Sequence, residues 1–415
     1  MTSNSLKIFH GQYSAEGAPQ EIGLYIPEND KSSNTPEVSI VVPALNESIT
    51  IGEFVEWCWE GLRRGDIQGE VIIVDSSSDE TPHIALDAGA RVLRAPKRGL
   101  GQAYIDSIPF IRSNFIVMGD CDLTYDFREV EEFVSSYRQG NEFVMGSRFA
   151  GKIEEGAMPP LHRYFGTPLT TWVLNRIYRS KFTDIHCGMR GLTKAAFEKI
   201  SLTSSGWEYA SEMVLKAVRA DLKISEVPVI FYKDREGRQS HLKRGGVMTP
   251  WIAGWINLKV MLVYTPDSFL LKPGAGILSL GLLVSLLILF KDTNSIGHIS
   301  FGIYTMMFSL SLSVLGYALL QAGILARFRH KLRSGVEGFI IKSFTYNRGM
   351  LVAILLFVSG FAIDMHFLMD WVRGGYEVLS LSKSAIFGLL LLILSIQTFS
   401  FTLLLDLERR VLRFS

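Results

Sequence analysis

Residues 115–124 read Phe115-Ile116-Val117-Met118-Gly119-Asp120-Cys121-Asp122-Leu123-Thr124. Four apolar residues in a row, closed by a glycine and an acid, have the length and flanks of a strand buried on both faces. Two carboxylates one residue apart, just past such a strand, can reach one divalent cation, and a cation there can neutralise a diphosphate. An Asp-x-Asp alone is more often a solvated acidic turn. Its weight therefore depends on its surroundings.

Upstream, Val38-Ser39-Ile40-Val41-Val42 ends at Pro43, and Glu70-Val71-Ile72-Ile73-Val74 ends at Asp75. A third apolar run, Ala90-Arg91-Val92-Leu93, precedes Lys97. Helices are expected near 50–63, 80–88 and 100–112. Strands alternating with helices at this spacing predict an α/β domain with a Rossmann-like, mostly parallel sheet and helices on both faces. Ligands of such sheets bind beyond the carboxyl ends of the strands. Pro43, Asn46, Glu47, Asp75, Lys97 and Asp120 all fall at such ends.

Each residue type there has a chemical use and a plainer alternative. Glu47 can pair with a ribose hydroxyl or a base edge, or be an ordinary first-turn helix acid. Asp75 can accept from a base imide or amide N–H, or cap a turn. Lys97-Arg98-Gly99-Leu100-Gly101-Gln102-Ala103-Tyr104 opens a helix, where glycines let backbone N–H groups approach an anion and the two cations add charge. Asp120 and Asp122 are expected to hold Mg²⁺ or Mn²⁺ against a diphosphate, with Thr124 as a further polar neighbour of the metal.

The chain has 415 residues, too many for one ordinary domain, and a net charge of +1, which gives no bulk electrostatic case for nucleic acid. Its three cysteines have neither metal-ligand nor disulfide spacing. The first thirty residues are polar, with no apolar core of signal-peptide length. Residues 27–37 read as a flexible linker. After residue 270 long apolar blocks take over. Spans are expected at about 273–290, 301–326, 350–369 and 384–405. Arg327, Arg329, Lys331, Arg333, Lys342 and Arg348 between the second and third, and Arg409, Arg410 and Arg413 in the tail, predict a cytoplasmic loop and C-terminus. Four spans then place the N-terminal domain in the cytoplasm too. Residues 247–269, with Trp251, Trp255 and Tyr264, read as amphipathic helices lying in the headgroup layer. The expected layout is an extension and linker at 1–37, a catalytic domain at 38–246, interfacial helices at 247–269 and a four-helix membrane domain at 270–415.

One ordered set of motifs carries a resemblance. It comprises Val42-Pro43-Ala44-Leu45-Asn46-Glu47, Val74-Asp75, Lys97 to Tyr104, Asp120-Cys121-Asp122-Leu123, and Gly146-Ser147-Arg148-Phe149. Asp184, Cys187-Gly188-Met189-Arg190, Ser211-Glu212-Met213 and Glu226-Val227-Pro228 complete it. From Val38 to His241 the chain resembles GT-A-fold, family 2 glycosyltransferases, most of all the dolichol-phosphate mannose synthase and polyprenyl-phosphate glucosyltransferase branch. The resemblance implies transfer of one sugar, with inversion, from a nucleotide sugar of the GDP-mannose or UDP-glucose type to a polyprenyl or dolichyl phosphate. It implies nucleotide-sugar contacts at Pro43, Leu45, Glu47, Asp75, Lys97, Asp120 and Cys121, and metal and diphosphate contacts at Asp120 and Asp122. It implies an acceptor-phosphate site at Arg148 and Arg190, and it leaves room for a homo-oligomer.

A phosphate acceptor is already anionic at neutral pH, so the site needs cationic donors that hold it in line rather than a strong base. Arg148, Arg190, Arg235 and Arg238 suit that role, with Ser240 and His241 on the same segment; Asp122, Arg148 and Arg190 are the expected catalytic set. Glu212 could orient these arginines or be a structural helix acid. The branch usually carries Arg-x-x-Gly-x-Ser-Lys where this chain has Arg235-Glu236-Gly237-Arg238-Gln239-Ser240-His241, so Arg238 stands for glycine and His241 for lysine. Two other readings compete. A processive polysaccharide synthase would carry Gln-x-x-Arg-Trp before its pore helices, and residues 200–270 have none. A transporter or flippase partner with a degenerate domain would show eroded metal ligands and charges within its spans, whereas both aspartates are present.

Overall fold

Strands whose side chains are apolar on both faces assemble the first of two compact units, Met1–Met261 and Leu262–Ser415. The computed structural model describes residues 7–10, 17–178, 180–235, 237, 259, 265–290, 295–296, 299–300, 302–329, 344–374 and 382–414.

Along the first unit run β1 (Ile8–His10), β2 (Gly23–Ile26), β3 (Val38–Ala44), α1 (Ile51–Arg64), β4 (Gly69–Asp75), α2 (Thr81–Asp87), β5 (Arg91–Arg94) and α3 (Leu100–Ser107). Then come β6 (Phe115–Met118), α4 (Val130–Arg138), β7 (Phe143–Ile153), α5 (Thr167–Tyr178), β8 (Arg190–Thr193), α6 (Lys194–Ile200), α7 (Tyr209–Arg219) and β9 (Ile224–Phe231). Among the described residues these strands form one sheet in the order β1-β2-β5-β4-β3-β6-β8-β7-β9. β5, β4, β3 and β6 run parallel. All of β4, β5 and β6 is buried, as are all but Pro43 of β3. That is why β3, β4 and β6 read as mostly apolar runs rather than alternating ones.

β8 breaks the parallel order, pairing antiparallel with both β6 and β7. Its first residue, Arg190, lies opposite Met118 at the end of β6 and opposite Met145 of β7. The acidic loop after β6, the Gly146–Arg148 segment of β7 and the loop entering β8 are thereby gathered on one rim with the ends of β3, β4 and β5. This mostly parallel sheet with a reversed strand beside the acidic loop is the GT-A arrangement that the motifs imply.

The segment read as a flexible linker is docked. Asp30 takes a two-bond contact from Arg91 at 2.7 and 2.9 Å, and Ser33 N and Glu37 N donate to Gly69 O and Gln68 O. Ahead of it, β2 adds antiparallel to β5 and extends the sheet. Its polar composition misled because short polar stretches that satisfy a neighbouring strand's backbone look like linkers in sequence.

The second unit carries α8 (Lys272–Phe290), α9 (Ile303–Arg329), α10 (Tyr346–Arg373) and α11 (Lys383–Phe414). With the turn before α8, four helices among the described residues are long and apolar enough to cross a membrane. Each reaches beyond the apolar stretch read from sequence, because helical hydrogen bonding continues into polar ends such as Tyr346-Asn347-Arg348. Small residues let backbones meet: a Cβ at Gly316 would lie 2.3 Å from Leu278 N. Hydroxyls join helices at Ser285–Ser309 (2.8 Å) and Tyr317–Thr398 (2.7 Å). The expected interfacial helices at 247–269 lie outside the described residues except for 259 and 265–269.

Candidate active site

The loop after β6 is built by local bonding. Asp122 Oδ1 accepts from Thr124 N at 3.0 Å and from the Thr124 hydroxyl, an Asx turn that fixes the carboxylate. Leu123 at its tip takes a φ of 62°. Tyr125 pairs with Phe231, and Tyr232 N donates to Thr124 O at 2.8 Å, so β9 braces the loop from one side. From the other side Gly188 N donates to the Tyr125 hydroxyl at 2.8 Å. A Cβ at Gly188 would stand 2.6 Å from Asp120 Oδ2. Only glycine leaves that carboxylate its place. Between the aspartates, Cys121 is buried with its thiol 3.4 Å from Pro43 O, tying the acidic loop to the end of β3.

Oxygen-only donors, one carboxylate held by an Asx turn and the other with room kept by a glycine, fit Mg²⁺ or Mn²⁺. Among the described residues no group of three or more His, Cys, Asp or Glu side chains could hold a metal ion. A cation held by these two carboxylates would take the rest of its shell from water or a ligand's oxygens. Thr124 contributes its hydroxyl to Asp122 as a donor.

The other residues read from sequence fall as follows. Pro43, near the end of β3, and Leu45, just past it, are half-buried, and Glu47 is buried in the loop that follows with its N–H on the Thr81 hydroxyl at 2.9 Å. Asp75, the last residue of β4, is completely buried. Its carboxylate is engaged by Arg94, its register partner on β5, and by the Ser77 hydroxyl. Arg94 also reaches Gly17 O at 2.6 Å, so the N-terminal segment closes over this pair. Arg94 was missed because its partner lies on another strand; a lone charge ending an apolar run was the available signal.

The glycines capping and opening α3 serve packing. A Cβ at Gly99 would lie 2.3 Å from Ser205 O, one at Gly101 would lie 2.2 Å from Ser204 O, and Gln102 N donates to Ser205 O. The loop 203–206 thus packs against these glycines, and Lys97 is exposed. Glu212 holds that loop. It accepts from Thr203 N at 3.0 Å, the Thr203 hydroxyl at 2.7 Å and Ser204 N at 2.8 Å, and it pairs with Lys216 at 2.6 Å. Burial would raise its carboxyl, but these donors outweigh it and bring the pKa down to about 2.

Among the arginines, Arg148 is held by a two-pronged pair with Asp184, Nε to Oδ2 at 2.6 Å and Nη2 to Oδ1 at 2.9 Å. The fork leaves Nη1 outside it. Burial alone would raise the Asp184 carboxyl, yet the Arg148 fork holds it below its ordinary value. Arg190 is 1% exposed, and its guanidinium lies on main-chain carbonyls of Cys187, Ala210 and Ile185. It ties the loop before β8 to α7 instead of facing a ligand, a position its place in a motif did not reveal. Arg235 is exposed and pairs with Glu53 on α1. Arg238, Ser240 and His241 lie outside the described residues.

Residues 39–201 match Glycosyl transferase family 2, and residues 320–408 match the Glycosyltransferase family 2 C-terminal transmembrane region. A low-salt glycan biosynthesis hexosyltransferase of Haloferax volcanii is 33% identical over 371 residues, 88% of this chain and 87% of the relative. A dolichyl-phosphate hexose transferase of the same organism is 27% identical over 201 residues, 48% of this chain and 85% of the relative. Among solved structures, the glucosyl-3-phosphoglycerate synthase of Mycobacterium tuberculosis with Mn²⁺, UDP and glucosyl-3-phosphoglycerate is similar with a TM-score of 0.43 at 20% identity, over 61% of this chain and 87% of that one.

Proposed function

This chain belongs to glycosyl transferase family 2 and is an integral membrane glycosyltransferase, and from that premise we propose that it moves one hexose, with inversion, from a nucleotide sugar to a polyprenyl or dolichyl phosphate. The observation that carries the proposal is the register of β6, β8 and β7. It brings the Asp120–Asp122 loop and the Arg148–Asp184 pair onto one rim, acidic ligands on one side and a held guanidinium on the other.

In this reading Pro43, Leu45, Glu47 and the Asp75–Arg94 pair serve the nucleoside, with Lys97, Asp120 and Cys121 toward the diphosphate. Asp120 and Asp122 would hold Mg²⁺ or Mn²⁺, whose chemistry is to offset the charge of the departing nucleoside diphosphate. Arg148 orients the acceptor phosphate through the donor outside its fork; the sequence offers Arg235 as a further cation for it, together with Arg238, Ser240 and His241, which lie outside the described residues. A phosphate oxygen forms the new bond to the anomeric carbon as the bond to the diphosphate breaks. The nucleoside diphosphate leaves with that electron pair, and no proton has to be removed from the acceptor.

Two features support a lipid acceptor. Among the described residues, four helices are fit to span a membrane. Around α5, Leu161, Tyr164, Phe165, Leu169 and Trp172 are 43–74% exposed, an apolar face that suits a bilayer surface better than water. Basic residues at the ends of the spans support a cytoplasmic catalytic domain and termini. The deciding experiment incubates membranes containing the protein with radiolabelled UDP-glucose, GDP-mannose and related donors, Mg²⁺ and polyprenyl phosphate. Label passing to the organic phase with one donor is the expected result; no transfer with any donor overturns the proposal.

A further inference from the structure

Resting on that reading of Arg148, we infer that Thr170 and His186 are positioning residues, which tie helix α5 to the Arg148–Asp184 pair and so set the acceptor side of the site. Helix α5 turns two faces outward and inward. Leu169 and Trp172 are exposed, whereas Thr167, Thr171 and Leu174 are buried against the domain. Thr170 stands between the faces, with its Oγ1 2.9 Å from His186 Nε2. The same hydroxyl meets Gly166 O at 2.8 Å and Thr167 O at 3.1 Å, so its proton has main-chain acceptors at the start of the helix. The imidazole is then the donor to Thr170. Burial above all pushes the His186 pKa down to about 4, which keeps the ring neutral near pH 7.

From His186 the link runs along the main chain. His186 N donates to Asp184 Oδ1 at 3.2 Å, the oxygen that receives Arg148 Nη2. A second strut lies beside the first: Asn175 of α5 exchanges two bonds with Phe182, N to Oδ1 at 2.9 Å and Nδ2 to O at 2.7 Å. On the opposite side Glu226 of β9 accepts from Thr183 N at 2.9 Å and Asp184 N at 3.2 Å. The loop 182–187 is thus clamped between α5 and β9. Its buried carboxylate is aimed at Arg148, which could otherwise swing with its long stem. A helix with an apolar outer face is the element that a lipid surface would fix in depth, and the Thr170–His186 contact passes that placement to the guanidinium.

The test uses the full chain reconstituted in vesicles, with initial rates measured separately against polyprenyl phosphate and against the nucleotide sugar. Thr170→Val, which keeps shape but removes the acceptor of the imidazole N–H, is expected to raise the KM for polyprenyl phosphate about tenfold. The KM for the nucleotide sugar stays put. Thr170→Ser restores the wild-type value, and His186→Gln, which keeps a donor near Nε2, is expected to shift KM less than His186→Ala. Equal shifts in both KM values, or none in either, overturn the inference while leaving the proposed reaction standing. Absence of transfer by the wild-type protein overturns both.

Discussion

Gly188 and Asp120 are so closely packed that a Cβ on the glycine would stand 2.6 Å from Oδ2 of the aspartate. A contact that short forces either the carboxylate or the loop entering β8 to move, and the loop is pinned by the Gly188 N–H on Tyr125. Gly188→Ala should therefore displace the carboxylate. We expect at least a tenfold loss in kcat and a higher Mg²⁺ or Mn²⁺ concentration at half-maximal rate, with about 1–3 kcal/mol lost from stability at most. Metal titrations of the initial rate check it, and an unchanged half-maximal concentration would remove Asp120 from the metal reading.

Asp122→Asn separates the charge of the second carboxylate from its geometry. The amide oxygen can still accept from Thr124 N, so the Asx turn survives, but a negative metal ligand is gone. Turnover should fall on the order of 10²-fold or more, as when a charge-stabilising group is lost from an active site. The melting temperature should stay within a few degrees of wild type. Thr124→Val, which removes only the hydroxyl bond to that carboxylate, should cost less than Asp122→Asn; the reverse order would contradict the assignment.

Arg148→Lys keeps a cation but cannot reproduce the two-pronged hold on Asp184. The KM for the acceptor should rise about tenfold or more with little change for the nucleotide sugar. Arg148→Ala should instead cost about 3–5 kcal/mol in stability, because it leaves the buried Asp184 carboxylate unpaired. Chemical denaturation of the two variants, beside their kinetics, distinguishes these losses.

The parts of the fold legible in the sequence are those where burial is one-dimensional. β3, β4 and β6 are covered on both faces by protein and read as mostly apolar runs, whereas the spans read as apolar blocks because the faces they leave uncovered by protein are apolar too, as a lipid environment requires. β8 was not legible, since Arg190 opens it and its pairing depends on strands far away in the chain. The acidic loop was visible because its carboxylates are adjacent in sequence. The Arg148–Asp184 and Asp75–Arg94 pairs were not, being 36 and 19 residues apart. The glycines capping and opening α3 were read as an anion cradle because sequence cannot distinguish close approach to a ligand from close packing on Ser204 and Ser205.

Glu212 supplies a pH signature outside the chemistry. Its carboxyl has a folded-state pKa of about 2 against an ordinary 4.5, so the folded form binds its proton more weakly than the unfolded form. A depressed folded pKa stabilises the fold fully above the ordinary value and loses that contribution as pH falls toward the folded one. The relevant window is therefore between about pH 4.5 and pH 2. Glu212→Gln can still accept from Thr203 but carries no charge for Lys216, so it should melt several degrees below wild type at pH 7. That gap should narrow as the pH is lowered through the window, because the wild-type carboxylate is then being neutralised as well. Asp184 also loses its contribution on acidification, but it does so in both proteins and cancels from the difference. Thermal melts of the detergent-solubilised pair between pH 7 and pH 3 decide it. A gap that stays constant over that range would mean that the ionised Glu212 is not what holds the loop 203–206 against Gly99 and Gly101.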